Sequence, residues 1–319
     1  MRFITIAPSR HRISRIAMGT TYFGTAIDEK TSFLLLDTFA THGGTTVDTA
    51  RVYGQDTPGK RSISEELIGK WLKETGMRQH IYLVTKGGHP DQTTLQPRIT
   101  AQHLDSDIQQ SLEALGCDTV DLYFLHRDDP ALEPGQIMEM TAPLVKSGKV
   151  CALGASNWSI ARITQANQYA QAHHLPQFVA SELHWSLADC TPQIWGDNTL
   201  QCMTEEALSW YREHHFPVFA YSSQAKGLFS KAISCGYETL NGKIRQRYLS
   251  EKNRRRVERV RQLSMETGLS PAAIVTGYIT RNSMPSVAIT GCSTLPQLLD
   301  TLGGEDVVLT ESQIAFLLD

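Results

Sequence analysis

The sequence of 319 residues lacks several patterns that mark common protein classes. It contains no Gly-x-Gly-x-x-Gly stretch, the fingerprint that opens dinucleotide-binding open sheets. Its six cysteines are scattered, without a Cys-x-x-Cys pair or another metal-ligand spacing, which indicates reduced thiols and no metal site. The net charge of −3 gives no reason to expect nucleic acid as a partner.

Long apolar segments are also missing. No apolar run approaches the roughly 20 residues that span a bilayer, and the first residues, Met1 to Thr5, lack the apolar centre of a signal peptide. We therefore expect a cytoplasmic protein without a membrane partner. No stretch resembles an interdomain linker, so a single domain over residues 1–319 is expected.

Short strand-like runs alternate with helical patterns along the whole chain. Eight such runs begin near residues 16, 45, 81, 120, 150, 178, 217 and 287. Strict alternation forces a parallel sheet with right-handed crossovers, and eight units are the count of a (β/α)8 TIM barrel in the α/β class. An open doubly wound sheet usually has fewer units. A short N-terminal β-hairpin from residues 3–6 and 12–16, and extra helices near the C-terminus, are predicted as additions to the barrel.

Four titratable side chains stand at or just beyond the ends of three consecutive predicted strands. They are Asp48 after residues 45–47, Tyr53 five positions later, Lys86 after residues 81–85, and His126 after residues 120–125. Because the carboxyl ends of parallel, adjacent strands meet at one rim, we expect these four groups to lie together. Any one of them alone is typical of an ordinary polar rim residue; the combination indicates catalysis.

These residues belong to a set of segments that resembles the aldo-keto reductase family. The segments follow the family order across nearly the whole chain: Asp48-Thr49-Ala50-x-x-Tyr53-Gly54, Ser64-Glu65-Glu66-x-Ile68-Gly69, Thr85-Lys86, Leu125-His126, Gly154-x-Ser156-Asn157-Trp158, Tyr221-Ser222 with Gly227, and Ile289-x-Gly291. The resemblance implies a reductase that passes hydride from NAD(P)H to an aldehyde or ketone. The alternative is a cofactor-binding regulatory or redox-sensing subunit with little catalytic role.

The resemblance and the chemistry together predict the catalytic roles. Carbonyl reduction needs a proton on oxygen while hydride arrives at carbon, and a free tyrosine with a pKa of about 10 is a weak acid for this. Lys86 is the cation expected to lower the pKa of Tyr53, and Asp48 would hold that lysine. A neutral His126 would donate to the carbonyl oxygen and orient it. Tyr53 is therefore the predicted general acid.

The resemblance also implies a cofactor site. Ser156 and Asn157 would contact the nicotinamide carboxamide, and Tyr221 would stack on its ring. Many relatives have a glutamine as a third carboxamide contact where this chain has Glu182, whose carboxylate accepts a hydrogen bond but donates one only when protonated. Read without the resemblance, Ser156-Asn157-Trp158 is also typical of an ordinary strand-to-helix turn.

The choice between NADP(H) and NAD(H) stays open at this stage. Many family members hold the 2′-phosphate of NADP with a lysine or arginine in the segment that begins at Gly291, but Gly291, Gln297 and their neighbours supply no cation. Lys226 or the basic run 254–256 could substitute. That run is equally typical of the exposed face of a helix whose Val257, Val260 and Leu263 face inward.

The predicted substrate pocket contains aromatic and charged residues from several loops. Tyr22, Phe23, Arg127 and Trp158 are the expected contacts, with Trp195 as a further candidate. A rim that carries Arg127 and the two acids after it suits a small polar or sugar-like carbonyl substrate. The four aromatic side chains are equally compatible with packing beneath loops. The sequence leaves the direction of the reaction and the oligomeric state open.

Overall fold

Eight parallel strands close into a barrel in the computed structural model, which describes residues 1–8, 11–54, 62–91 and 93–319. In chain order the strands are β1 (Phe3–Ile4), β2 (Ile13–Ser14), β3 (Ile16–Gly19), β4 (Thr46–Asp48), β5 (Tyr82–Gly87), β6 (Leu122–Leu125), β7 (Leu153–Ser156), β8 (Phe178–His184), β9 (Val218–Tyr221) and β10 (Ser286–Thr290). The barrel order is β10-β3-β4-β5-β6-β7-β8-β9, and β10 also pairs with β9. The predicted (β/α)8 TIM barrel is confirmed.

The strands β1 and β2 form the predicted N-terminal hairpin. They pair antiparallel, with Phe3 opposite Ser14 and Ile4 opposite Ile13. Ile13 is fully buried and packs with residues of the barrel interior, so the hairpin covers the end of the barrel at which the strands begin. The opposite end, where the strands finish, is left for the candidate site.

Helices surround the barrel and extend it near the C-terminus. They are α1 (Glu29–Thr41), α2 (Ile63–Thr75), α3 (Ala101–Leu115), α4 (Pro134–Lys146), α5 (Ile160–Ala172), α6 (Pro192–Trp195), α7 (Glu205–Glu213), α8 (Leu228–Cys235), α9 (Gly242–Tyr248), α10 (Glu251–Thr267), α11 (Pro271–Thr280), α12 (Leu295–Leu302) and α13 (Glu311–Leu318). Helix α1 is typical of them. At its start the Asp28 side chain accepts a hydrogen bond from Thr31 N, and the apolar face of the helix is buried.

The barrel interior is filled by side chains rather than open. Phe124 and Phe219 meet edge to face with 5.5 Å between ring centroids. A Cβ atom on Gly154 would stand 2.3 Å from the ring of Phe124, so only glycine at that position on β7 lets this aromatic pair pack. The packed interior confines chemistry to the rim at the strand ends.

The basic run on α10 is mainly structural. Val257, Val260 and Leu263 are buried, as the amphipathic pattern predicted. Arg256 Nη1 donates to the Leu187 carbonyl over 2.7 Å, and Arg259 Nη1 donates to a carbonyl of α13 over 2.9 Å. These arginines therefore join α10 to the loop after β8 and to the terminal helix. Among the described helices, none has the length and apolar character to cross a bilayer.

Candidate active site

A buried ion pair joins the ends of β4 and β5. Lys86 Nζ donates to both carboxylate oxygens of Asp48 over 2.7 Å and to the Thr49 carbonyl over 2.9 Å. Register explains the meeting, because Asp48 lies beside Val84 and the next inward position on β5 is Lys86. Burial by itself would lower the pKa of Lys86, but Asp48 and other acidic neighbours raise it above its usual value. The lysine is therefore charged.

The phenol of Tyr53 lies against this lysine. Lys86 Nζ is 3.5 Å from Tyr53 Oη and 5.3 Å from the centroid of its ring. Burial raises the pKa of Tyr53 above its usual value, and the opposing effect of Lys86 is smaller than the burial. Lys86 lowers the pKa of Tyr53 as expected, but burial raises that pKa by more, so the net pKa lies above its usual value. Desolvation of the phenolate outweighs the ammonium, and the phenol is protonated.

His126 completes the group predicted from the strand ends. Its ring meets Tyr53 edge to face at 6.0 Å between centroids. Burial lowers the pKa of His126 well below its usual value, and the nearby His89, Arg127 and Lys86 lower it further. The imidazole is thus neutral, as the sequence interpretation required. Its Nδ1 is buried without a hydrogen-bond partner among the described residues. The structure brings all four predicted catalytic side chains to one rim.

The ends of β7, β8 and β9 carry a second polar group. Asn157, in the left-handed backbone region with φ of 59°, donates from Nδ2 to Ser156 Oγ over 3.1 Å. Its Oδ1 accepts from Tyr221 Oη over 2.8 Å and from the backbone N of Gln201 over 3.2 Å. Pairing of Ser156 with Glu182, and of His184 with Tyr221, sets the register of these three strands. The predicted carboxamide contacts therefore lie side by side.

Glu182 links the two groups. Its carboxylate lies 3.5 Å from Lys86 Nζ, and Oε2 is buried without a hydrogen-bond partner among the described residues. Burial raises the pKa of Glu182 to about 8, with Lys86 lowering it and Asp48 raising it. A buried acceptor with a long ion-pair contact and no hydrogen bond among the described residues, beside a hydroxyl and an amide, fits the donors and acceptors of a nicotinamide carboxamide. The residues present therefore fit such a cofactor.

The segment after β10 carries the other predicted cofactor residues. Gly291 is exposed, and a Cβ atom there would meet no atom within 4 Å. Gln297 lies in the first turn of α12, and its Oε1 accepts from Ser293 N and Ser293 Oγ, each over 3.0 Å. The nearest side chains are polar and uncharged. The expected lack of a cation in this segment therefore holds for the positions from 291 to 299.

Two of the predicted substrate contacts belong to the core instead. Phe23 has 0% and Trp158 has 1% relative exposure, and both lie in the main apolar cluster between strands and helices. Trp158 packs edge to face against Phe178 at 5.1 Å. A side chain without accessible surface cannot line a pocket that a substrate enters, so the pocket assignments of Phe23 and Trp158 are wrong. Packing, the alternative interpretation, explains both.

The other two predicted substrate contacts stand at the rim. Tyr22 is 49% exposed, and the ammonium of Lys226 lies 5.8 Å above its ring. Arg127 donates to the His126 carbonyl over 2.8 Å and pairs with Asp197 at 3.4 Å. Arg127 thus ties the end of β6 to the loop that carries α6, next to the catalytic group.

Three residues near the site were not predicted from the sequence. His89 meets His126 edge to face at 4.8 Å, and Thr21 hydrogen-bonds Tyr53. His184 Nε2 lies 2.8 Å from Tyr248 Oη, behind Tyr221, and burial lowers the pKa of His184 to about 4. His89 and Thr21 each lie two positions beyond the ends of strands, β5 and β3 respectively, and this position was the available signal. His184 is the last residue of β8, two positions beyond Glu182 on the same strand.

Cations gather on the side of the rim near β9. Lys226 lies above Tyr22, and the guanidinium of Arg247 stacks on Trp195 at 3.9 Å. Both lower the pKa of His184 after burial, so both act on the same region. Lys226 was among the proposed substitutes for the missing cation; Arg247 was not. No cluster of three or more potential metal ligands occurs in the described ranges.

Comparison with known proteins agrees with the barrel fold. The sequence model of the Aldo/keto reductase family matches residues 15–317, and the chain belongs to this family. "Uncharacterized oxidoreductase YrpG" of Bacillus subtilis is 28% identical over 100% of this chain and 95% of its own length. Norsolorinic acid reductase stcV of Emericella nidulans is 25% identical over 95% of this chain and 77% of its own length. Aldo-keto reductase str7 of Strobilurus tenacellus is 28% identical over 92% of this chain and 82% of its own length.

Proposed function

We propose that this chain is an NAD(P)H-dependent oxidoreductase that reduces an aldehyde or ketone to the alcohol, with Tyr53 as the proton donor. The observation that carries the proposal is the contact of Lys86 Nζ with Tyr53 Oη at 3.5 Å and with both Asp48 oxygens at 2.7 Å. A charged lysine fixed by an acid and aimed at a phenol is an arrangement suited to proton transfer. Membership of an oxidoreductase family supports the same reaction.

The protonation states suit a reductase. The raised pKa of Tyr53 keeps the phenol protonated near neutral pH, so the proton is present when a carbonyl oxygen arrives. When that proton leaves, the phenolate stands beside the Lys86 ammonium, which stabilises the product state of the transfer. Asp48 keeps the ammonium in place through two hydrogen bonds. Neutral His126 can donate to the carbonyl oxygen and hold it near Tyr53.

A nicotinamide cofactor fits the second polar group. Ser156, Asn157 and Glu182 would hold its carboxamide, and Tyr221 would flank its ring. When bound, the cofactor supplies the hydride. The hydrogen bond from Tyr221 to Asn157 holds both side chains in one arrangement, so they would need little reorganisation to receive the cofactor.

The cations near β9 support NADP(H) as a cofactor that the chain can use. The residues at 291–299 carry no charge to meet a 2′-phosphate, but Lys226 and Arg247 stand at the same rim. Guanidinium and ammonium groups are the side chains that bind phosphate best. We therefore propose NADP(H) as the cofactor, with NAD(H) as the alternative. The rates of carbonyl reduction with NADPH and with NADH would distinguish them.

The substrate in this proposal is a small polar or sugar-like carbonyl compound. His89 meets the His126 ring, Arg127 follows His126 in the chain, and the exposed Tyr22 follows Thr21, which hydrogen-bonds Tyr53. Hydroxyl groups on a substrate would find donors and acceptors there. Phe23 and Trp158, which would have favoured an apolar substrate, are buried behind the rim.

The test is the consumption of NADPH and of NADH with a panel of activated aldehydes and hydroxy-aldehydes. Tyr53→Phe should lower turnover about 10²- to 10⁴-fold while cofactor binding, followed by fluorescence, stays close to that of the native chain. Tyr169→Phe is the matched control, because that hydroxyl hydrogen-bonds Glu139 on the outer helices, away from the rim. Equal turnover in Tyr53→Phe and the native chain would refute the proton-donor role. Cofactor binding without any turnover would favour the regulatory alternative.

A further inference from the structure

Two buried carboxylates share one ammonium at the centre of the site. Asp48 takes two hydrogen bonds from Lys86 Nζ, and the Thr49 carbonyl takes another. These contacts use the three donors of the ammonium, and Glu182 Oε2 lies 3.5 Å from Nζ as a second, longer ion-pair partner. The side chains of Asp48, Glu182 and Lys86 are between 0% and 3% exposed. This cluster has one carboxylate more than its lysine can neutralise.

The surrounding charges do not compensate this second carboxylate. The groups that interact electrostatically with Glu182, from every strand end around it, are Asp48, Tyr53, Lys86, Arg127 and Tyr221. Burial raises the pKa of both tyrosines, so these phenols are neutral. Arg127 has its own acid, Asp197, at 3.4 Å. An ionised Glu182 therefore leaves the cluster with a net negative charge.

We propose that Glu182 determines the redox preference of the cofactor site, holding the oxidised, positively charged nicotinamide more tightly relative to the reduced form than a neutral side chain would. The inference rests on the proposed function, since it requires a nicotinamide cofactor at these strand ends. The reduced ring is neutral and the oxidised ring carries one positive charge. That charge neutralises the excess negative charge of the cluster, whereas the reduced ring leaves this charge buried and uncompensated.

The size of the preference follows from the low exposure of the cluster. At an effective dielectric of about 20, unit charges several ångströms apart change a binding constant by roughly tenfold or more. The ratio of the Kd of the reduced form to the Kd of the oxidised form should therefore rise about tenfold or more when Glu182 ionises. Such a ratio favours carbonyl reduction at the bound-cofactor equilibrium, because the products of that reaction are the alcohol and the tightly held oxidised cofactor.

The protonation of Glu182 makes this preference depend on pH. Its pKa of about 8, raised by burial, means that the carboxyl is mostly protonated at pH 6 and ionised at pH 9.5. Binding of the oxidised ring favours the charged form and lowers the pKa, so the complex releases a fraction of a proton near pH 7. Binding of the reduced ring favours the neutral form and releases none.

The experiment measures binding rather than turnover. NADP⁺, NADPH, NAD⁺ and NADH are titrated by fluorescence or calorimetry at pH 6 and pH 9.5, and proton release is measured near pH 7 in two buffers of different ionisation enthalpy. In the native chain, the ratio of the Kd of the reduced form to that of the oxidised form should rise from pH 6 to pH 9.5, and binding of the oxidised forms should release protons. Glu182→Gln should show a ratio that is flat with pH and no release. Glu65→Gln, another fully buried acid that hydrogen-bonds Thr85, should behave as the native chain does.

Three other results would refute either this inference or the proposed function. A Kd ratio in the native chain that does not change with pH would refute the inference, even if Glu182→Gln failed to fold. Proton release that persists in Glu182→Gln and disappears in Tyr53→Phe would assign the proton to Tyr53 and refute it too. Failure of the native chain to bind any of the four nucleotides would refute the proposed function, and this inference with it.

Discussion

Replacement of Lys86 by methionine tests the charge balance of the site most directly. The substitution removes the ammonium that lies 2.7 Å from both oxygens of Asp48 and 3.5 Å from Glu182. Loss of one partner of a buried ion pair costs about 3–5 kcal/mol, and here two carboxylates lose the same cation, so we expect a loss of about 5 kcal/mol. For 319 residues the unfolding entropy is about 0.7 kcal/mol/K, which predicts a fall in Tm of about 7 °C.

The loss of stability should depend on pH with a defined sign. Without Lys86, burial raises the pKa values of Asp48 and Glu182 further above those of the unfolded chain, which are near 4. The folded variant then binds more protons than the unfolded chain between about pH 4 and those raised values. Its stability is fully present below about pH 4 and falls as the pH rises. The deficit relative to the native chain should be larger at pH 8 than at pH 5.

The measurement is urea denaturation followed by tryptophan fluorescence at pH 5 and pH 8. The variants are Lys86→Met, Asp48→Asn and the double variant, in which one carboxylate and the ammonium are removed together. The double variant should recover part of the stability, because only Glu182 is left without a cation. A deficit below about 1 kcal/mol, or one that is equal at both pH values, would refute this account of the site. A double variant less stable than Lys86→Met would also refute it.

Three further predictions concern packing and protonation around the site. Phe23→Ala should lower the free energy of unfolding by about 3–5 kcal/mol in urea denaturation, because the ring is buried in the apolar core, and should leave the Kd of the cofactor unchanged. A higher Kd without a loss of stability would instead indicate that Phe23 lines the pocket. Gly69→Ala should lower the free energy of unfolding by about 1–3 kcal/mol, because its Cβ would stand 2.4 Å from the Ala114 carbonyl. Gly242→Ala is the control and should change stability little, because no atom lies within 4 Å of its Cβ position. Equal effects of the two substitutions would contradict the close packing of α2 on α3. The rate of carbonyl reduction should show no acid limb from His126 near pH 6.5, the usual pKa of a histidine, because burial lowers its pKa well below that value. A limb there that disappears in His126→Gln would contradict the neutrality of His126.

The barrel and its rim could be predicted from the sequence because their signals are local. Each strand is a short apolar run, each crossover has a helical period, and eight repeats of that unit close only in a limited number of ways. Residues placed at strand ends then share a rim whatever the details of packing. Asp48, Lys86 and His126 were found in this way, and the structure brings them together with Tyr53.

Only the tertiary structure decided which neighbours in sequence face the rim. Tyr22 is 49% exposed and Phe23 is fully buried, although they are adjacent aromatic residues in the same loop. The direction of a loop side chain depends on the elements that pack against it, and neither composition nor period records those elements. The same reason explains Arg256 and Arg259, whose partners are carbonyls 57 to 69 positions away.

The protonation states of the site also required the tertiary structure. The sequence determined that an acid, a phenol, an amine and an imidazole would meet, and that Glu182 would add a second acid nearby. The pKa of each group is the balance of desolvation against neighbouring charges, and both depend on distances of a few ångströms. For Tyr53 burial outweighs Lys86, and for Lys86 the acids outweigh burial. Those opposite outcomes follow from the packing around the rim, which the order of residues alone does not contain.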